Sequence, residues 1–273
     1  MKMKKTLTTL ALATVLLPGV LSAEMTTEEI AKATQNPLTA MYSLPIQNNT
    51  YYDRELDGKH KNVANIQPVL PFDLSDDWTL VTRTVVPVVS APTYPSSGEY
   101  ERQWGLGDTT MTGFFTPKAT GDSGIVWGVG PTLYLPTSTD RTLRPSEDRE
   151  WGAGISAVAL AMHGKWVYGA LVSNVWTFSG EKSVNALTLQ PFVNYNISNG
   201  WFVASVPIVT ANWKAESDQT WTLPLGAGVG KAGKMGSIPF TWQVHGYYNI
   251  EKPDQIGEKW QTRVQLQWLF PRK

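Results

Sequence analysis

The side chains of this 273-residue chain limit the chemistry that it can perform, because it has three histidines and no cysteine. Without cysteine the chain can form neither a disulfide framework nor a thiolate metal site, and it cannot carry a lipoprotein anchor. The histidines are far apart in the sequence, and the three aspartates between residues 73 and 77 lack the spacing and the glycine of a calcium loop. We therefore expect no metal centre and no cofactor.

A hydrolase built on serine and histidine is the remaining catalytic hypothesis. Such a site needs a serine that passes its proton to a histidine, and a polar group that orients the histidine. His163 lies in a predicted turn and His60 in a predicted loop, whereas His245 lies on a predicted strand with no serine one or two steps along the same face. A serine supplied by a neighbouring strand remains an alternative. A lipid-modifying hydrolase that uses His245 is kept as an alternative function.

Polar and apolar side chains alternate in residues 259–270, KWQTRVQLQWLF. Arg263 and Gln265 fall on the polar face, and the apolar face carries Trp260 and Trp268 near its two ends. A period of two indicates a β-strand, and an apolar face of this kind is typical of a strand in a transmembrane barrel. Because a charge that faces lipid at mid-depth costs about 2 to 4 kcal/mol, we expect Arg263 to face the lumen.

The same alternation in the other clear strands predicts which side chains line the lumen. Its basic members would be Arg83, His245 and Arg263, and rings of such residues tune which solutes pass. Alternatively, a hydrogen-bonded and partly filled interior would leave no open path. The candidate solute-binding residues are Arg83, Gln190, Asn194, Gln243, His245, Arg263 and Gln265, and the wider inward-facing set adds Gln67, Thr188 and Asn249.

The elements that position these residues are twelve runs of 11 to 15 residues, rich in Val, Thr, Trp and Tyr and ended by Gly, Asn, Asp or Ser. Twelve is an even number, as a closed antiparallel barrel requires. The sequence thus predicts an all-β fold, a transmembrane β-barrel of twelve strands that occupies residues 38–273. The runs are 38–52, 62–73, 78–90, 107–117, 125–136, 151–162, 166–179, 183–197, 201–213, 220–231, 238–251 and 258–270.

The connections and the tryptophans agree with this barrel. In the first half of the chain short turns alternate with longer connections at 53–61, 91–106 and 137–150, which would be the outer loops, whereas all connections in the second half are short. Tryptophans cluster at strand ends, as two interfacial belts require: Trp78, Trp166 and Trp201 on the turn side, and Trp151, Trp213, Trp221 and Trp260 on the loop side. Six prolines inside predicted strands argue against a regular cylinder, although bulges could absorb some of them.

The first 37 residues are not predicted to be strand. Residues 1–23 have a basic start, an apolar core and a small-residue cleavage site, which together indicate a secretory signal peptide. Residues 24–37 are the helical candidate, because Thr26 and Glu29 form a capping box and Asn36-Pro37 ends the turn. We expect a short periplasmic helix or tail, and the alternative is a plug inside the barrel.

The segments NPLTAMYSLPIQNNTYYD (36–53) and NVANIQPVLPFDLSDDWTLVTRTVVPVV (62–89), with GLGD (105–108) and PFVNYNISNGWF (191–202), resemble a known family. The chain is similar to the outer-membrane barrel proteins named for the meta-pathway of phenol degradation, some of which are labelled neuromedin U or transporter. The resemblance implies an outer-membrane location and a role in moving small aromatic or apolar molecules, and it supplies no catalytic residue. One departure is that Pro271, Arg272 and Lys273 follow Phe270, where such barrels tend to finish on an aromatic residue.

Together these observations predict a passive channel or transporter for small solutes in the outer membrane of a Gram-negative bacterium. The alternatives are a non-conducting barrel that binds a partner or stabilises the envelope, and the hydrolase. Beyond the signal peptide the chain has 20 basic and 23 acidic residues, which does not favour nucleic acid. The expected partners are outer-membrane lipid, a small-molecule solute and the barrel assembly machinery.

Overall fold

The chain folds into twelve antiparallel strands and one short helix. The computed structural model describes residues 25–53, 60–93, 101–121, 123–144, 149–178, 183–254 and 258–272, so the predicted signal peptide lies outside the described residues. The strands are β1 (Tyr42–Asp53), β2 (His60–Ile66 and Val69–Asp73), β3 (Trp78–Thr93), β4 (Glu101–Leu106 and Thr109–Pro117), β5 (Ile125–Leu135), β6 (Gly152–His163), β7 (Trp166–Thr177), β8 (Asn185–Asn196), β9 (Trp201–Ser205 and Val209–Asn212), β10 (Trp221–Met235), β11 (Ile238–Glu251) and β12 (Glu258–Phe270).

The sheet closes on itself. Each strand pairs antiparallel with the strands before and after it in the sequence, and β12 pairs with β1 from Tyr42 opposite Phe270 to Tyr52 opposite Trp260. This closure satisfies the backbone groups that an open sheet would leave at its edges. The predicted twelve-stranded closed barrel is therefore confirmed, with the start of β1 and the end of β12 at the end that carries the short turns.

Prolines account for most irregularities of the wall. Three strands are interrupted, β2 after Ile66, β4 after Leu106 and β9 after Ser205. Because proline cannot donate to the ladder, it belongs at such breaks and bulges. Pro68 lies in the break of β2 and Pro207 in the break of β9. Pro87 lies opposite the break of β4, and Pro191 lies opposite the break of β9. Pro131 lies where β5 lacks partners on β4, and Pro224 lies at a register shift against β11.

The outward face of the barrel is apolar, with aromatic pairs near both ends. At the turn end Trp78 meets Trp127 with ring centroids 6.0 Å apart, and Trp201 meets Trp242 at 5.6 Å. The loop end carries the pairs Trp213–Trp221 and Tyr248–Trp260, at 5.4 and 4.9 Å. All seven tryptophans that we assigned to a belt lie at the predicted end. Exposed valines and leucines such as Val172, Val244 and Leu225 occupy the band between the pairs.

Two connections show how the turns and loops are built. The turn between β8 and β9 places Asn199 and Gly200 at φ values of 58° and 76°, and Trp201 N–H donates to Ser198 O at 3.3 Å, as in a type I′ hairpin turn. The prediction of a loop was wrong for the described parts of 91–106. Strand pairing continues there from Ala91 opposite Gln103 to Thr93 opposite Glu101.

The helix, α1 (Thr27–Gln35), begins with the predicted capping box. Glu29 N–H donates to Thr26 Oγ1 at 3.2 Å, and Thr26 N–H donates to the Glu29 carboxylate at 2.7 Å. The carboxylate accepts hydrogen bonds from the backbone N–H of Thr26 and, at 3.0 Å, from its hydroxyl, and these bonds to the charged form hold the pKa of Glu29 below its usual value. No helix in the described ranges is long and apolar enough to cross a membrane.

Residues 25–41, which we call the plug segment, lie inside the barrel. Ile30 and Ala31 are fully buried against the inward-facing Phe202, Ala204 and Ala232 near the turn end. After α1 the chain turns at Asn36, whose Oδ1 accepts the backbone N–H of Leu38 at 2.9 Å, and only then joins the wall. The expected periplasmic helix or tail is thus replaced by its alternative, the plug, and the predicted strand start at residue 38 moves to 42.

Candidate solute site in the barrel lumen

One internal cavity lies above the plug segment and is lined by the seven candidate solute-binding residues. Its volume is about 120 Å³. A cavity of this size holds several water molecules or a small solute. The candidates in contact with it are Arg83, Gln190, Asn194, Gln243, His245, Arg263 and Gln265.

Arg263 is the most completely buried charged side chain of the lumen, with 2% of its surface exposed. Its Nε donates to Asn49 Oδ1 at 2.9 Å and its Nη1 to the carbonyl of Val206 at 2.7 Å. That carbonyl is free to accept because Val206 lies in the break of β9. The guanidinium also lies 5.0 Å from the ring centroid of Tyr247, a cation–π contact. Arg263 thus faces the lumen as predicted.

Next to Arg263 lies a short chain of hydrogen bonds along β11. His245 Nε2 meets Gln243 Oε1 at 3.0 Å, and Tyr247 Oη meets His245 Nδ1 at 3.0 Å. The rings of His245 and Tyr247 are parallel within 7°. The wall leaves space for them because the residues of β10 that are paired with Gln243, His245 and Tyr247 are all glycines. Of these, Gly228 would bring a Cβ within 2.5 Å of His245 Cγ, so the alternating glycines of β10 make room for side chains.

Arg83 lies on the other side of the cavity and is partly exposed to it. Its Nη2 donates to Gln67 Oε1 at 2.6 Å, which fixes the direction of the guanidinium. An arginine has five N–H donors, and no other hydrogen bond of Arg83 is formed with the described residues. Arg83 is therefore a partly exposed cationic group of the cavity wall whose other donors have no partner among the described residues.

The lumen is polar on one side and apolar on the other. The polar side, from β11 through β12 to β2, carries amides such as Gln261, which donates to Asn49 Oδ1 at 3.0 Å. The apolar side, from β2 to β8, forms two clusters of buried side chains that the amphipathic strands turn inward. These are Leu38, Val69, Val81, Phe114, Val158 and Leu171 in one cluster, and Leu160, Val167 and Phe192 in the other.

The floor of the cavity is the plug segment itself, which contributes Thr34, Gln35, Asn36, Pro37 and Thr39. Two amide hydrogen bonds tie it to the wall. Gln35 Nε2 donates to Asn196 Oδ1 at 2.9 Å, and Asn196 Nδ2 donates back to Gln35 Oε1 at 3.0 Å. Leu38 extends the contact to the apolar side.

Some lumen residues were not predicted from the sequence. Asn49, which accepts hydrogen bonds from both Gln261 and Arg263, lies in the uniformly polar run QNNT, where alternation gives no signal. A row of hydroxyl groups also crosses four strands of the inner wall, with oxygen–oxygen distances of 2.5 to 2.8 Å, and small hydroxyl residues in strands carry no distinctive pattern. The row is Thr112, Thr132, Ser156 and Ser173.

At the loop end a second segment folds inward. Leu143 packs on the inward-facing Val89 and Ala91, and the carboxylate of Asp108 accepts the hydroxyl of Tyr134 at 2.7 Å and the N–H of Ser138 at 3.0 Å. Asp108 is the last residue of the GLGD segment, so this conspicuous motif anchors a loop. The cavity therefore lies between the plug segment and a packed loop end.

The geometry around His245 differs from that of a serine hydrolase. Its Nε2 meets Gln243 and its Nδ1 meets Tyr247, and neither nitrogen contacts a serine among the described residues. His60 and His163 are exposed at opposite ends of the barrel. In the described ranges no group of three or more His, Cys, Asp or Glu side chains could hold a metal ion.

No protein-family model and no curated protein matches this sequence. Among solved structures, the chain is similar to an outer membrane channel from Pseudomonas putida F1, with a TM-score of 0.61 and 15% identity over 85% of this chain and 97% of that one. It also resembles the transport unit of the autotransporter AIDA-I from Escherichia coli, with a TM-score of 0.50 and 8% identity over 90% and 96% of the two chains. Outer membrane phospholipase A from Escherichia coli has a lower TM-score of 0.44, with 12% identity over 86% of this chain and 100% of that one. The first two likenesses show that the chain has the fold of outer-membrane β-barrel proteins.

Proposed function

We propose that this chain is exported to the outer membrane of a Gram-negative bacterium and works there as a passive channel for small solutes, aromatic or apolar ones among them. The observation that carries the proposal is the cavity inside the bore, with two inward-facing arginines and uncharged amides around it. A barrel that served only as a scaffold would gain more stability from an apolar filling, because buried polar groups are costly unless they are fully hydrogen-bonded.

The outer surface supports the location. Apolar side chains with aromatic pairs at both ends match the lipid-facing band of outer-membrane barrels. Lipid is accordingly one proposed partner, and the barrel assembly machinery is another, which would recognise the last strand through Trp268 and Phe270. The resemblance to the phenol meta-pathway family remains part of this proposal, as does the secretory leader.

Ion conductance tests the channel. We expect the refolded chain without residues 1–23 to produce discrete current steps in a planar bilayer, because the cavity is polar and wide enough for water. A shift of the protein band on heating in a gel would establish that the barrel has formed. A heat-modifiable barrel that stays silent with the plug segment both present and removed would contradict the proposal and favour a structural or partner-binding barrel.

Fatty-acid release from phospholipid vesicles tests the hydrolase alternative. We expect no turnover from the native barrel or from His245→Ala, because both ring nitrogens of His245 are occupied by Gln243 and Tyr247. The substitution should change ion selectivity at most. Turnover by the native barrel that disappears in His245→Ala would establish the enzyme and overturn the channel as the main activity.

A further inference from the structure

The ionisable side chains that line the cavity among the described residues are all basic. Arg83, His245 and Arg263 line it, and among the described residues no aspartate or glutamate does. Neither arginine forms an ion pair with a described residue. Buried cations are normally paired with carboxylates or fully hydrogen-bonded, so a bore with two unpaired guanidinium groups favours an anion over a cation or a neutral solute.

The hydrogen bonding of the two arginines gives them different roles. The Nη2 of Arg263 is buried and has no partner among the described residues, while Nε and Nη1 are held by Asn49 and Val206. This guanidinium is fixed in the wall and adds positive charge to the cavity. Arg83 is partly exposed to the cavity, is oriented by Gln67, and keeps its remaining N–H groups free. Such a guanidinium can bind a carboxylate with two parallel hydrogen bonds.

Part of the cavity wall is apolar. Leu171 and Phe192 line the same cavity as Arg83, and each belongs to a cluster of buried apolar side chains. An inorganic anion would leave this surface uncovered. A solute with a carboxylate at one end and an apolar body at the other would contact Arg83 and this surface at once.

We propose that the cavity binds small organic acids whose single carboxylate is held by Arg83 and whose apolar body packs on Leu171 and Phe192. Arg263 contributes charge from the wall. The inference rests on the proposed function, because the solute reaches the cavity through the bore. It narrows the solute class from small aromatic or apolar molecules to amphipathic monocarboxylates.

Calorimetric titration of the refolded barrel in detergent tests this, with benzoate and the neutral benzyl alcohol as matched probes. We expect benzoate to bind at least about tenfold more tightly than benzyl alcohol, since hydrogen bonds to charged groups are the stronger class. Arg83→Gln should remove this difference. Arg272→Gln, at the turn end where Arg272 pairs with Asp73, should retain it.

Equal affinity for the two probes, no binding of either, or an unchanged preference in Arg83→Gln would each overturn the site. The comparison of benzoate with benzyl alcohol on the native barrel needs no variant, so it stands even if Arg83→Gln does not fold. Conductance is measured separately. A conducting barrel without a benzoate preference keeps the channel and rejects this site, whereas a silent barrel that binds benzoate through Arg83 keeps the site and rejects transport.

Discussion

Replacing Ile30 by glutamate should raise the conductance of the refolded barrel several-fold. Ile30 has no exposed surface and packs on Phe202, Ala204 and Ala232, so the variant loses this apolar contact and buries a carboxylate instead. Loss of a buried isoleucine alone costs about 2 to 5 kcal/mol. Even the lower limit moves the equilibrium between the seated and unseated plug about 30-fold.

Glu28→Gln is the matched control for this variant, because Glu28 lies on the exposed face of the same helix. It should leave the conductance unchanged. Deletion of residues 24–37 gives the limiting case and should reach a conductance at least as high as that of Ile30→Glu. If both changes leave the current of a heat-modifiable barrel unaltered, the plug segment does not control the bore.

The variant Gly228→Val should fail to form a heat-modifiable barrel, or should do so in a small fraction of molecules. A Cβ at residue 228 would overlap the carbonyl oxygen of Val244 and lie 2.5 Å from Cγ and 2.7 Å from Cα of His245. Two of these atoms belong to the backbone of the paired strand and cannot rotate away. We expect a cost of about 3 kcal/mol or more, at the upper end of the range for overpacking.

Gly246→Val is the corresponding control on the neighbouring strand. No atom lies within 4 Å of a Cβ at residue 246, which is on the outward face, and valine suits a lipid-facing strand. The folded fraction in urea titrations should therefore stay the same or rise. Equal folding of the two variants would show that the wall beside His245 can relax.

The wall of the barrel was predictable because alternation is a local property of each strand. Each of the twelve predicted runs overlaps one strand, and residues 258–270 agree at both ends, whereas the first strand starts four residues later and the fourth six residues earlier than predicted. The inward direction of Arg83, His245 and Arg263 followed from the same alternation, because lipid on one side forces polar residues to the other. Their role in binding a solute stays a prediction.

The contents of the lumen were not predictable in the same way. Ile30 and Ala31 are two apolar residues in a short polar helix, and their burial depends on Phe202 and Ala232, which are 170 residues or more away in the sequence. Leu38 was predicted to be strand because it is apolar and precedes one. The partnership of Asn49 with Arg263 likewise depends on the closure of β1 on β12, a contact between the two ends of the barrel sequence.

Because the plug segment is also the floor of the cavity, occupancy of the cavity and position of the plug are thermodynamically linked. A solute that contacts Thr34, Asn36 or Thr39 binds the seated state more tightly than the unseated one. By reciprocity, the same solute stabilises the seated state by the same factor. A solute of this kind therefore keeps the plug segment seated at the turn end of the bore. A solute that contacts the wall alone leaves the equilibrium between the seated and unseated plug unchanged.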